Sequence, residues 1–82
     1  MDLCLRHGPD VLGIEIKVWR DRRPDPLAEG LPQLDGYLAG LNLPSGWLVI
    51  FDQRSAQPPI EERTRLERAV TPSGRPVAVI RA

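Results

Sequence analysis

Asp2, Glu15 and Lys17 are an acid, a second acid and an ammonium, spaced so that all three can project from one face of a β-hairpin. Such a trio suits metal-assisted hydrolysis of a phosphodiester. Two carboxylates a few ångströms apart repel, and one takes up a proton unless a cation neutralises them. Mg²⁺ resolves that conflict, because it prefers oxygen ligands, takes one or two carboxylates and keeps several waters; Mn²⁺ is the alternative ion. The cation lowers the pKa of bound water and offsets charge on a phosphoryl oxygen. Lys17 would position that water or balance the developing negative charge.

The hairpin follows from the residues around the trio. Leu3 and Leu5 alternate with Asp2, Cys4 and Arg6, while Ile14, Ile16 and Val18 alternate with Glu15, Lys17 and Trp19, the period of two expected of strands. Between them His7-Gly8-Pro9-Asp10 is a turn-type cluster. With Gly8-Pro9 at the turn centre, Asp2 falls opposite Glu15, where Cβ atoms lie about 4.5–5.5 Å apart. An acid and a lysine two apart also fit an ordinary solvated strand face, with Arg6 and Glu15 forming cross-strand charge pairs. The register of Asp2 and the apolar character of the opposite face favour a site.

Beyond the hairpin, Arg20-Asp21-Arg22-Arg23-Pro24 reads as a polar connection, with Asp25 as the N-cap of a helix and Pro26 in its first turn. Leu27, Leu31, Leu34, Leu38 and Leu41 recur at spacings of four, three, four and three, the seam of an amphipathic helix that packs on the sheet. Pro32 inside it predicts a kink, or a helix that begins near it. Asn42 to Gly46 ends the helix, and Trp47-Leu-Val-Ile-Phe51 follows as a strand parallel to the Glu15 strand, its unbroken apolar run predicting burial on both faces. Pro59 to Val70 also fits a charged helix opened by proline, but a short helical turn near Ile60–Arg63 and then a hairpin around Pro72-Ser73-Gly74 is the favoured reading of the tail.

These residues resemble the PD-(D/E)XK nuclease superfamily, in which a strand bearing an acid precedes a strand bearing (D/E)-x-K, then a helix, then another strand beside the site. Asp2 matches the acid, Glu15-Ile16-Lys17 the E-x-K, and Gly30 to Leu38 the helix. Some branches carry a glutamine early in that helix, directed at the site, and Gln33 matches it. The stretch from Gly13 to Arg54 looks like the nuclease-like domain at the end of some bacterial AAA-type ATPases. The resemblance implies catalytic roles for Asp2, Glu15, Lys17 and Gln33, Mg²⁺ at Asp2 and Glu15, and DNA as substrate. The expected fold is α/β, a restriction-endonuclease-like mixed sheet with an N-terminal hairpin, a crossover helix, a parallel strand and a C-terminal hairpin. One domain spans 1–82, with a core over 1–54 and a peripheral hairpin over about 64–82. The superfamily core normally begins with a helix and a strand ahead of the acid, so the chain is expected to be cut down or to be part of a longer one. Without the leading helix, an apolar face including Leu3, Leu5, Ile14 and Ile16 would stay uncovered. This leads to the alternative expectation of a catalytically silent module that docks an ATPase, another protein or a second copy of itself.

Composition narrows the classes. Eighty-two residues make one small domain. Eleven basic against eleven acidic side chains leave no net charge, so nucleic-acid contacts must be local, with Arg20, Arg22 and Arg23 as candidate phosphate holders and Trp19 as a candidate base-stacking ring. Trp19 is more economically explained by packing and the arginines by solvation. Cys4 is the single cysteine, excluding an internal disulfide and fitting a reducing cytoplasm. No apolar run approaches the ~20 residues of a membrane helix.

Overall fold

Alternating apolar and polar residues on either side of Gly8 fold into two antiparallel strands, β1 (Asp2–His7) and β2 (Asp10–Trp19). The computed structural model describes residues 2–8 and 10–82, the side chains of Asp2, His7 and Ile60 excepted. The expected register is present: Asp2 pairs with Glu15, Cys4 with Gly13 and His7 with Asp10. Gly8 enters the turn at φ 59°, a left-handed conformation that costs glycine nothing. Its expected companion at the turn centre, Pro9, lies outside the described residues.

Helix α1 (Leu27–Leu41) crosses the sheet. Pro26 occupies the cap position without a side-chain bond of its own, and Asp25 accepts the Leu27 amide at 3.0 Å, so the capping falls to Asp25 as its residue type predicts. Helical bonding starts at Pro26, whose carbonyl accepts the Gly30 amide at 2.8 Å. The helix therefore begins well before Pro32, which lies inside it on the exposed side. At the other end Asn42 takes a left-handed conformation (φ 57°, ψ 42°) and the Leu43 amide donates to the Leu38 carbonyl at 2.9 Å, closing the last turn.

Strand β3 (Gly46–Asp52) returns parallel to β2, pairing Glu15 with Leu48 and Lys17 with Ile50. A four-residue turn of helix, α2 (Ile60–Arg63), leads to β4 (Arg65–Val70) and β5 (Pro76–Arg81), which pair antiparallel. The result is an α/β unit with a five-stranded mixed sheet in the order β1-β2-β3-β5-β4. The expected peripheral placement of the C-terminal hairpin holds only for β4. β5 inserts parallel to β3 and delivers Val77 and Val79 to the core, because Pro76-Val-Ala-Val-Ile80 is apolar enough to be a central strand.

One face of the sheet buries Leu48, Ile50, Val77 and Val79 against Leu34 and Leu38 of α1. Burying each such side chain contributes about 1.5–3 kcal/mol relative to exposure. Gly46 permits the close approach: a Cβ there would sit 2.8 Å from Leu38 Cδ1 and 3.1 Å from the Gly13 carbonyl oxygen. Asp35 of α1 ties the helix to the β4–β5 turn, accepting hydrogen bonds from Thr71 Oγ1 (2.8 Å), Ser73 Oγ (2.6 Å) and Arg75 Nη1 (2.8 Å).

The other face carries no helix among the described residues. There the expectation that Trp47 to Phe51 is buried on both sides fails. Leu48 and Ile50 are fully buried, whereas Trp47 and Phe51 remain 37% and 40% exposed, because α1 covers a single side. No helix among the described residues is long and apolar enough to cross a membrane.

Candidate active site

Strand alternation turns Gly13, Glu15, Lys17 and Trp19 toward the face that α1 covers. Glu15 is 2% exposed, an uncommon position for a carboxylate, which is rarely buried unless compensated. Its neighbours across the ladder are Leu48 on β3 and the backbone of Asp2 on β1. The sheet thus puts both candidate metal ligands on one rung. The Asp2 side chain lies outside the described residues.

Lys17 sits one pleat further along and is drawn under the helix. Its Cγ would lie 3.4 Å from a Cβ at Gly30, and Leu48 Cδ1 would lie 3.0 Å from it, so a residue without a side chain lets α1 descend onto the lysine stem. The ammonium donates to Glu29 Oε1 and to Gln33 Oε1, each at 3.0 Å, and Gln33 Nε2 donates back to Glu29 Oε1 at 3.1 Å. The three side chains close a polar triangle. The hydrogen bond from Lys17, and then its charge, holds the Glu29 carboxyl below its usual range.

Gln33, named from the sequence, is therefore brought against Lys17. Glu29 was not foreseen. Its signal was its place four residues before Gln33, on the same helical face.

Beside the triangle, beyond the end of the β1 pairing, opens a cleft of about 560 Å³ lined by Lys17, Arg20, Arg23 and Glu29 among others. Two of the three candidate phosphate holders, Arg20 and Arg23, therefore border the same space as Lys17. Arg22 does not: it is exposed in a left-handed turn (φ 63°) outside the lining. Trp19 is engaged within the fold, its indole N–H donating to the Arg23 carbonyl at 2.9 Å and its ring lying 3.5 Å from the Arg54 guanidinium. That stacking supports packing, not base recognition, as its role.

Trp19 opens a second polar cluster, at the carboxyl ends of β2, β3 and β5. Arg54 grips Asp52 through Nε (2.9 Å) and Nη2 (2.7 Å), and this bond holds the Asp52 carboxyl below its usual range. Arg81, 9% exposed, bonds Glu67 through Nε and Asp25 through Nη2 at 2.8 Å. Arg81 thus ties the start of α1 and the edge strand β4 to the central strand β5.

Among the described residues no group of three or more His, Cys, Asp and Glu side chains could hold a metal. The register places position 2 and the buried Glu15 on one rung, and carboxylates as a residue type suit a hard cation such as Mg²⁺ or Mn²⁺ rather than a soft one. No family model, curated protein or solved structure matches the chain.

Proposed function

We propose that this chain is a PD-(D/E)XK nuclease-like domain of restriction-endonuclease-like fold, which hydrolyses phosphodiester bonds of DNA with Mg²⁺ or Mn²⁺ held by Asp2 and Glu15. The observation that carries this reading is the rung itself: Asp2 pairs with a buried Glu15, and Lys17, fixed by Glu29 and Gln33, stands one pleat along. Arg20 and Arg23 hold phosphates in the adjoining cleft. A bound cation supplies a more acidic water and offsets charge on the phosphoryl oxygens. Lys17 balances the charge that develops on the reacting phosphate as the water oxygen bonds to phosphorus and the ester oxygen departs with a proton. Glu29 and Gln33 act through Lys17 and are positioning residues. The single cysteine suits a reducing cytoplasm.

A second reading, a catalytically inactive nuclease-like module that docks an ATPase, another protein or a second copy of itself, is favoured by the open apolar face opposite α1. Supercoiled plasmid separates the two. The nuclease reading expects nicked or linear product with Mg²⁺, abolished by chelator and by Glu15→Gln in a folded protein. Plasmid left intact with Mn²⁺ at high protein concentration overturns it in favour of the docking module.

A further inference from the structure

All eight exposed large apolar side chains among the described residues lie on one face of the sheet, the face away from α1. They span its full width, from Leu3 and Leu5 on one edge strand, through Trp47 and Phe51 in the centre, to Leu66 and Val70 on the other edge, with exposures from 37% to 62%. Their combined exposed area is on the order of 700 Å², above the few hundred that a monomer commonly shows in one patch and close to the ~800 Å² that each partner of a standard stable interface buries.

We propose that two copies of this chain associate through this face as a closed two-fold dimer. Besides the area, charge supports a second copy as the occupant. A two-fold contact sets a surface against itself, so any net charge on it would be repelled by its own image. By strand alternation the described side chains on this face include one acid, Asp10 at the hairpin end, and one arginine, Arg68 on edge strand β4, and the whole chain has no net charge with its histidine neutral. Two twisted sheets of this kind pack about 10 Å apart at roughly −30°. The inference deepens the docking reading and rests on it, while the polar cleft on the α1 side stays free in the dimer.

The test is light scattering on the chain from micromolar to sub-millimolar concentration. A mass of two protomers is expected, falling to one for Phe51→Lys at the centre and for Leu66→Lys at the rim, each with an unchanged circular dichroism spectrum. Leu66 is the more tolerant site, being 62% exposed, and keeps the test valid if Phe51→Lys fails to fold. A monomer at every concentration, an open series of larger species, or a dimer that Leu66→Lys leaves intact overturns the proposal. A monomer that binds an apolar fluorescent dye overturns self-association alone and leaves the face to a different protein; a monomer that binds none overturns the docking reading as well.

Discussion

Lys17→Ala is expected to slow plasmid cleavage by about 10²–10³-fold, the usual cost of removing one preorganised charge-stabilising donor. Cation binding should persist, since the lysine is no metal ligand. The melting temperature should change little, because the Lys17–Glu29 pair reaches solvent through a carboxylate that is 65% exposed, and such pairs contribute little to stability. A lysine that merely pins α1 to the sheet would give the reverse pattern: cleavage by the folded fraction unchanged and a lower melting temperature. Measuring rate, cation affinity and melting temperature on one preparation separates the two roles.

Asp35→Ala is expected to lower the melting temperature by roughly 5–10 °C at neutral pH and to flatten the acid limb of the stability profile. Asp35 accepts from Ser73, Thr71 and Arg75 at once, and these bonds, Ser73 first, pull its carboxyl from 3.8 down to about 2. A carboxyl whose folded pKa is depressed adds stability above its unfolded value and loses it as pH falls through the folded one. The contribution is therefore complete above about pH 4 to 5 and fades toward pH 2. Asp21, Asp25 and Asp52 are also held below their usual range, so wild-type stability should fall in acid more steeply than Asp35 alone accounts for. Melts at neutral pH and at several acid values check the slope; parallel curves for variant and wild type would show that Asp35 is no source of the acid sensitivity.

The N-terminal register was legible because a turn cluster separates two runs of period two, and one pairing alone aligns their apolar faces. The leucine spacing of α1 was equally readable, and Leu34 and Leu38 are its fully buried members. Two features were not legible. Alternation identifies β5 as a strand but does not say which strands flank it, so its insertion between β3 and β4 came only from the structure. Likewise, Trp47-Leu-Val-Ile-Phe51 reads the same whether or not a second layer covers it, which is why the open face was missed at Trp47 and Phe51. In the site, Gln33 came from a resemblance, whereas Glu29 required knowing how the first turn of α1 settles over Lys17 at Gly30.

In the proposed nuclease, Asp2 and Glu15 share one divalent cation. Isothermal titration of Mn²⁺ into the folded chain tests it directly. A single site per chain is expected, one that disappears in Asp2→Ala and in Glu15→Gln, the latter keeping the buried volume of Glu15. An absence of binding by the wild-type chain, or binding that survives unchanged in either variant, would contradict it.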